Sequence, residues 1–400
     1  MRISTSLMHD SAVSSMSQQQ AMLSKTQIEV SSGLKVQEPS DDPVAAVAIL
    51  RLQQAKASYD QFGTNIDFAN VQLGQEDQVL GEVTNLVQRV SQFAIQANND
   101  TLTDQDRQSM VVELTEINKQ LLSLANTEDS NGVYLFSGFT VGVQPFSRDS
   151  SNAVVYSGSS PVRNVQITSA QDMSIGNSGD DVFMSIPEGN GTFVLGATAT
   201  NTGTGVMTGA VQDITNWVPD NYTLTFTTPT DWQITDGSAP PNTVSSGTGY
   251  VSGTTIQFNG VSVTLNGDPA AGDSFTINAS GTENVFSTID QFIAELSSSH
   301  TTTSQRAMFQ NNINKVLQQL TQAESNMLRV RASVGARMST LENVEAIRQD
   351  EVYANAKAMS KLRDVDYADA VSRLSQQTLG LQAAQQSYIK IAQLSMFNYL

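Results

Sequence analysis

The stretch of residues 66–94, IDFANVQLGQEDQVLGEVTNLVQRVSQFA, carries an apolar side chain at almost every third or fourth position. The apolar positions are Ile66, Ala69, Leu73, Leu80, Val83, Val87, Val90 and Ala94, and Glu76 interrupts them. Alternating steps of three and four residues place all of these side chains on one face of an α-helix. The stretch therefore predicts a long helix that packs one face against other helices.

Start signals bound this helix and the next one. Pro43 suits a first helical position because its missing N–H is not needed there, and Asp42 or Ser40 can cap it. After the polar segment NNDTLTDQD (98–106), Thr103 and Asp106 can form a capping box for a second helix. That helix carries an apolar stripe of Met110, Leu114, Ile117, Leu121 and Leu124. Together the two segments predict an antiparallel helical hairpin.

The last third of the chain repeats this pattern over a greater length. From about Ser304, one stripe contains Ile313, Val316, Leu320, Ala323, Met327, Val330, Val334, Leu341 and Val344, and Arg337 is its one charged interruption. A sustained repeat of this kind is typical of coiled-coil packing. Because such a helix needs neighbours, we expect it to pack with the helices of the first third.

Between these thirds the apolar period changes to two. Tyr222, Leu224 and Phe226 alternate with threonine, and the stretch 254–277 alternates around Asn-Gly pairs. Of the 26 glycines, 19 lie between residues 131 and 280, which marks a change of domain. The predicted fold is α+β: a long antiparallel helical bundle or coiled coil built from both chain termini, with an inserted antiparallel β domain.

The charge distribution limits the possible partners. The formal net charge is −18, divided into −9 for residues 1–130, −9 for residues 131–280 and 0 for residues 281–400. An acidic chain repels phosphate backbones and anionic lipid, so we expect neither nucleic acid nor a membrane surface as a partner. No apolar stretch approaches a membrane span or a signal-peptide core. We therefore expect a protein that is cytoplasmic or leaves the cell without a cleaved signal.

The residues offer little that predicts catalysis, a cofactor or a metal. The chain has no cysteine, and its two histidines, His9 and His300, are far apart in sequence. The glycine-rich stretches 203–209 and 247–253 match no phosphate-binding pattern, and we expect turns or loops there. The sequence DVDYAD (364–369) lacks the glycine and the closing glutamate of a calcium loop and predicts an acidic first turn of a helix.

The two ends of the chain are amphipathic but sparsely apolar. We expect the apolar residues there to contact neighbouring subunits and to become ordered only upon assembly. These residues are Ile3, Leu7, Val13, Met16 and Leu23 at the start, and Leu381, Tyr388, Ile391, Leu394, Phe397 and Leu400 at the end. Asp41, Asp42 and Pro43 are expected to fix the turn into the first long helix.

Two segments resemble a known family. The segment SSGLKVQEPSDDPVAAVAILRLQQ (31–54) and the segment RLSQQTLGLQAAQQSYIKIAQLSMFNYL (373–400) resemble the terminal regions of the flagellin superfamily. Flagellins usually read like K-D-D-A-A-G where this chain has Asp41, Asp42, Pro43, Val44 and Ala45. That motif and the FNYL ending look more like the proteins that join the flagellar hook to the filament, and a flagellin-type filament subunit is the alternative.

The resemblance implies an organisation and a set of partners. It implies a D0-like helix and linker in residues 1–40, D1-like helices in 41–140 and 283–365, a β-rich insertion in 141–282 and a C-terminal D0-like helix in 366–400. It further implies export by the flagellar type III apparatus to an extracellular site at the hook–filament junction. The implied partners are hook-associated protein 1, flagellin, further copies in a ring, and an export chaperone on the C-terminal helix.

A different class of function also remains open from the residues. Trp217, Trp232 and Tyr222 could form a surface in the β insertion that stacks on sugar rings, with the helices serving as a stalk. Such a glycan-binding module would place the function in the middle of the chain rather than at its ends.

Overall fold

The computed structural model describes residues 5–99 and 102–397, without the side chains of residues 5, 6, 8 and 391–397. The chain forms two compact units: residues 1–64 with 343–400 (unit 1), and residues 65–342 (unit 2). The helices are α1 Thr5–Ser32, α2 Pro43–Ala97, α3 Asp104–Ala125, α4 Val285–Ser297, α5 Thr303–Arg363 and α6 Tyr367–Phe397. The fold class predicted from the sequence is confirmed, because helices from both ends of the chain flank an antiparallel β region.

The β region lies between α3 and α4, and a π-helical turn, Asp180–Met184, interrupts it. Its strands are β1 Phe146–Arg148, β2 Val154–Tyr156, β3 Asn164–Thr168, β4 Gln171–Ser174, β5 Ile186–Pro187, β6 Phe193–Ala197, β7 Val206–Val211, β8 Asn221–Phe226, β9 Trp232–Thr235, β10 Thr243–Gly247, β11 Thr255–Phe258, β12 Val261–Asn266, β13 Ser274–Ala279 and β14 Thr282–Glu283.

The apolar face of α2 is buried in unit 2, as its sequence pattern predicts; this buried face, together with the apolar stripe of α5, is called the seam. All eight apolar positions between Ile66 and Ala94 are completely buried, and Glu76 is also buried, with 1% of its surface exposed. On α5 the predicted stripe is buried from Ile313 to Leu341. Polar side chains tie the helices together at the rim of the seam, where Arg331 Nε donates to Asp77 Oδ1 at 2.9 Å and Gln88 Nε2 donates to Glu324 Oε1 at 2.6 Å.

Helix α3 begins with the predicted capping box. Thr103 Oγ1 accepts from the backbone N–H of Asp106 at 3.2 Å, and Asp106 Oδ2 accepts from the backbone N–H of Thr103 at 3.0 Å. The two bonds satisfy N–H groups that the helix itself leaves without acceptors.

Five aromatic side chains fill the space where the chain leaves the helices for the first strands. The ring of Phe146 lies 5.1 to 5.6 Å, between centroids, from the rings of Tyr156, Phe183 and Phe286. Phe136 packs edge to face on Phe183 at 5.2 Å. This cluster joins β1, β2, the π-helical turn and α4 in one core.

Two larger sheets share a second core. One has the strand order β10-β9-β8-β13-β6 and the other has β11-β12-β7, with all pairs antiparallel. The apolar positions of the two alternating stretches are buried in this core, namely Tyr222, Leu224, Phe226, Ile256, Phe258, Val261, Val263, Leu265, Phe275 and Ile277. Asn259 and Gly260 form the two-residue turn between β11 and β12, with φ of 42° and 76°.

One glycine-rich stretch differs from its prediction. Residues 206–209 belong to β7 rather than to a loop, and Met207 and Gly209 pair with Leu265 and Val263. Glycine at residue 209 allows the ring of Phe193 to pack closely on the strand, because a Cβ there would lie only 3.1 Å from that ring. Because β7 has several small residues, its sequence lacks the alternation of large apolar side chains that usually identifies a strand. The second stretch, 247–253, runs from the end of β10 into a turn, as expected.

A side chain of α5 contacts the edge of β7 that is not paired with β12. Asn311 Oδ1 accepts from the backbone N–H of Met207 at 2.8 Å, and Asn311 Nδ2 donates to Gly205 O at 2.9 Å. A single carboxamide thus bonds to the backbone on both sides of Val206.

In unit 1, α1 and α6 pack against each other. Helix α6 starts in the DVDYAD sequence as predicted: Asp366 Oδ1 accepts from the backbone N–H groups of Ala368 at 3.0 Å and Asp369 at 3.3 Å. An acidic group there is favourable because the first N–H groups of a helix carry partial positive charge.

Candidate assembly interface

The predicted interface residues at the chain ends are only partly covered. In α1, Leu7 and Val13 are exposed, and Met16 and Leu23 are half-buried. In α6, Leu381 and Tyr388 are half-buried. Ile391, Leu394 and Phe397 lie in α6, but their side chains are outside the described residues, as are Ile3 and Leu400 altogether. Two helices pairing with each other leave much of their apolar surface in contact with water.

Polar contacts hold α1 against α6. Arg373 Nη2 of α6 donates to Glu29 Oε2 of α1 at 3.0 Å, and within α6 Arg373 Nε donates to Asp369 Oδ2 at 2.9 Å. The Glu29 side chain is only 9% exposed, so this ion pair is shielded from solvent on one side. Tyr388 and His9 share a further hydrogen bond, with their ring centroids 5.2 Å apart.

The connections that follow α1 and α5 pair with each other. Lys35 N donates to Arg363 O at 2.7 Å, and Val365 N donates to Gly33 O at 2.9 Å. Gly33 ends α1 with a φ of 72°, and a Cβ there would lie 2.8 Å from Tyr367 Oη. Only glycine fits this position without strain, because the left-handed conformation is unfavourable for other residues.

The turn before α2 is organised by two neighbouring carboxylates. Asp41 Oδ2 accepts from the backbone N–H groups of Gln37 at 3.2 Å and Glu38 at 3.1 Å, while Asp41 Oδ1 pairs with Lys25 Nζ at 2.8 Å. The hydrogen bond from Lys25 and the two backbone N–H groups lower the pKa of Asp41 to about 2. Its charge therefore persists over the whole neutral range.

Asp42 has a separate role at the start of α2. Its Oδ1 accepts from the backbone N–H groups of Val44 at 3.1 Å and Ala45 at 2.9 Å, and Pro43 is the first helical residue. A small apolar cluster of Val36, Ala45 and Ile49, with Leu362 packed against it, lies beside this turn. The turn is thus fixed by one N-cap, one ion pair and one patch of core.

The first turns of α2 present apolar surface to solvent. Val44 is 79% exposed, and Val47 and Leu50 are also exposed. Pro43, Val44, Val47, Ala48, Arg51 and Leu52 line a shallow, mostly apolar groove. Further along the same helix, Asn355 of α5 donates to Leu52 O at 3.1 Å, and Arg348 of α5 donates to Tyr59 O at 3.2 Å.

Exposed apolar surface and charge are distributed unequally between the units. Among the described residues, 13 large apolar side chains of unit 1 are exposed, against 12 in unit 2, which is more than twice as long. Unit 1 carries 11 basic and 12 acidic side chains, so its net charge is −1, whereas unit 2 carries 10 and 27, for −17. Exposed apolar surface with balanced charge favours contact with other proteins.

The described residues offer no sign of the other site types. Within residues 5–99 and 102–397, no group of three or more His, Asp or Glu side chains could hold a metal ion. In the same ranges no helix is both long and apolar enough to cross a membrane. In the β insertion, Tyr222 is buried and hydrogen-bonded, and Trp217 and Trp232 are half-buried against the same core. These three rings stabilise the fold and do not form the suggested exposed sugar-stacking surface.

Several of these residues could not be identified from the sequence. Glu29 and Arg373 are separated by 344 positions, and nothing in either local pattern pairs them. Gly33, directly after two serines at the end of an amphipathic segment, carries the signal of a helix C-terminus and could have been found. Asn355 and Arg348 look like ordinary polar positions of a long helix.

Comparison with known proteins identifies similar chains. The protein-family model of the bacterial flagellin N-terminal helical region matches residues 3–140. The family model of the D2-like domain of flagellar hook-associated protein 1 matches residues 197–279. Flagellar hook-associated protein 3 of Salmonella typhimurium is 26% identical over 400 residues, covering 99% of each chain.

Solved structures agree with this result. The crystal structure of Xanthomonas campestris FlgL is 34% identical with a TM-score of 0.72, covering 77% of this chain and 99% of that one. The flagellar junction protein FlgL from Legionella pneumophila is 33% identical with a TM-score of 0.72, covering 79% and 99%. With this identity over the whole length of solved relatives, the chain belongs to the FlgL family of flagellar hook-associated protein 3, the junction proteins of the flagellum.

Proposed function

We propose that this chain is a structural, non-catalytic adaptor that joins the flagellar hook to the flagellin filament. Its neighbours in this proposal are hook-associated protein 1 on one side, flagellin on the other, and further copies of itself in a ring. It reaches this extracellular position through the flagellar type III apparatus, and an export chaperone binds the C-terminal helix before export.

The observation that carries the proposal is the exposed apolar surface of unit 1. Leu7, Val13, Met22 and Ile28 on α1, and Val371, Leu379 and Ile389 on α6, are exposed although they are large and apolar. The unit has a net charge of only −1, so copies can approach there without strong repulsion. Contact with neighbouring subunits would remove this surface from water. Each Å² of apolar area buried in this way contributes roughly 25 cal/mol of favourable free energy.

Hydrogen exchange tests the proposal directly. We expect residues 5–30 and 370–397 to exchange rapidly in the purified chain and to become protected when hook-associated protein 1 and flagellin are added. The same experiment distinguishes the alternatives. Protection of both ends in the isolated chain would contradict ordering on assembly, and long filaments formed by the chain alone would favour a flagellin-type subunit.

A matched pair of substitutions separates assembly from folding. Leu379→Asp places a charge on an α6 residue that is 66% exposed, and Leu328→Asp does the same on α5 in unit 2 at a residue that is 51% exposed. Both variants should fold, because neither side chain is buried. We expect Leu379→Asp to block incorporation into the junction and Leu328→Asp to retain it. Equal incorporation of the two variants would overturn the assignment of the interface to unit 1.

A further inference from the structure

The two charged residues that interrupt the apolar faces of α2 and α5 contact the same short segment. Asn177 Nδ2 donates to Glu76 Oε1 at 2.7 Å. Arg337 Nη2 donates to Asn177 Oδ1 at 3.1 Å, and Arg337 Nη1 donates to Gly176 O at 3.0 Å. The side chain of Asn177 therefore links a carboxyl group on α2 to a guanidinium group on α5.

The carboxyl group of Glu76 is enclosed and only half satisfied. Glu76 is 1% exposed, and its Oε2 has no hydrogen-bond partner among the described residues. Gly176 leaves space beside it, because a Cβ there would lie 3.7 Å from Glu76 Oε2 and 3.8 Å from Leu135 O. A protonated Oε2 carries no charge, whereas an ionised carboxylate would leave this buried oxygen charged and without a donor.

The surroundings of Glu76 favour its neutral form. Burial raises the pKa of Glu76 to about 7, and the side-chain hydrogen bond from Asn177, the charge of Arg337 and the backbone N–H of Asn177 oppose this only in part. Asp77, the next residue on α2, adds to the rise. Gly176 and Asn177 lie beside the carboxyl group, and residues 175–179 contain no acidic or basic side chain. An opening of this segment would expose Glu76 to water and return its pKa toward 4.5.

We propose that Glu76, Asn177 and Arg337 form a proton-linked latch, which fastens residues 175–179 to α2 and α5 when Glu76 is protonated and loosens them when it ionises. The segment lies between β4 and the π-helical turn, whose Phe183 belongs to the aromatic cluster. Two amides report on it, since Ile175 N donates to Arg163 O at 3.0 Å and Gly179 N donates to Phe136 O at 2.9 Å.

The direction of the effect follows from the two protonation states. Glu76 binds its proton more tightly in the closed state, so the closed state is favoured at low pH and loses this advantage as the pH rises from about 4.5 to about 7. With these two values, the equilibrium constant for opening should rise about tenfold between pH 6 and pH 8.

Hydrogen exchange of the Ile175 and Gly179 amides at pH 6 and pH 8, corrected for the intrinsic rates, measures this change. In the unaltered chain we expect the corrected exchange rate at pH 8 to exceed the rate at pH 6 about tenfold. In Glu76→Gln we expect no such excess. The control is Glu82→Gln, an exposed residue on the same helix, which should keep the excess. A missing excess in the unaltered chain, or an excess that survives in Glu76→Gln, would overturn the latch.

A second measurement covers the case in which Glu76→Gln does not fold. The carboxyl carbon of Glu76 can be titrated by NMR in the unaltered chain and in Arg337→Gln. We expect a midpoint near 7 in the unaltered chain and a higher one in the variant, because a favourable positive charge is removed. A midpoint in the ordinary range of glutamate would contradict the proposal without any variant at position 76.

Discussion

At the scale of single residues, Asp41 and Asp42 are adjacent carboxylates with different partners. Asp42 satisfies the first N–H groups of α2, and Asp41 joins the preceding loop to Lys25 of α1. The sequence was sufficient to predict that a helix starts here, but it could not show which aspartate caps the helix and which one binds the preceding loop. The division depends on the path of residues 33–40, which brings Lys25 and the backbone of Gln37 to the same side chain.

Asp41→Asn should alter how stability depends on acid. The pKa of Asp41 is depressed in the folded chain, so its contribution is present above about 3.8 and is lost as the pH falls toward about 2. The variant lacks this contribution at neutral pH and should lose less stability between pH 4 and pH 2. Urea unfolding followed by circular dichroism across that range measures the difference.

Asp60→Asn is the control for this experiment. Asp60 is a half-exposed carboxylate paired with Lys56 on the same helix. Its removal should leave the acid profile close to that of the unaltered chain. Identical profiles for Asp41→Asn and Asp60→Asn would show that the loop bonds of Asp41 contribute nothing.

At the scale of helices and strands, periodicity predicted the long helices and the strands β8, β11, β12 and β13. The steps of three and four identified α2 and α5, and the Thr103 capping box identified the start of α3. Tertiary pairings were not predictable, because Glu29–Arg373 and Lys35–Arg363 join segments more than 300 residues apart. Glu76 and Arg337 were visible only as interruptions, since the segment that joins them comes from neither helix.

Two glycines of unit 1 should respond oppositely to alanine. Gly33→Ala forces a left-handed residue and brings a Cβ close to Tyr367, so we expect destabilisation of about 1 to 2 kcal/mol. Gly380 lies inside α6, and a Cβ added there would meet nothing within 4 Å, so Gly380→Ala should stabilise the helix by up to about 1 kcal/mol. Urea unfolding measures the effect of Gly33→Ala, and the helicity by circular dichroism measures the effect of Gly380→Ala; changes of the same sign would contradict this account.

At the scale of the whole molecule, the net charge of −18 is almost entirely the charge of unit 2. The sequence showed an acidic chain, but it could not show that the acidic residues belong to a different unit from the exposed apolar ends. That assignment requires knowledge of which segments of the first and last thirds pack together. The compact units divide α2 and α5 internally, and no composition change marks those points.

Assembly should therefore depend on salt through unit 2. Added salt screens the repulsion between its acidic surfaces, with a Debye length of about 10 Å at 0.1 M. We expect the rate of incorporation to rise between about 0.02 M and about 0.15 M sodium chloride. Asp172→Lys, an exposed change in unit 2, should weaken that response. Equal rates at both salt concentrations would contradict a role for this charge.

The bonds of Asn311 to the backbone around Val206 have a consequence for the free edge of β7. An unpaired strand edge is a template on which the strand of another molecule can add. The carboxamide occupies the donor and the acceptor that an intruding strand would need. One asparagine on a helix thus covers this part of the β7 edge against pairing with a strand of another molecule.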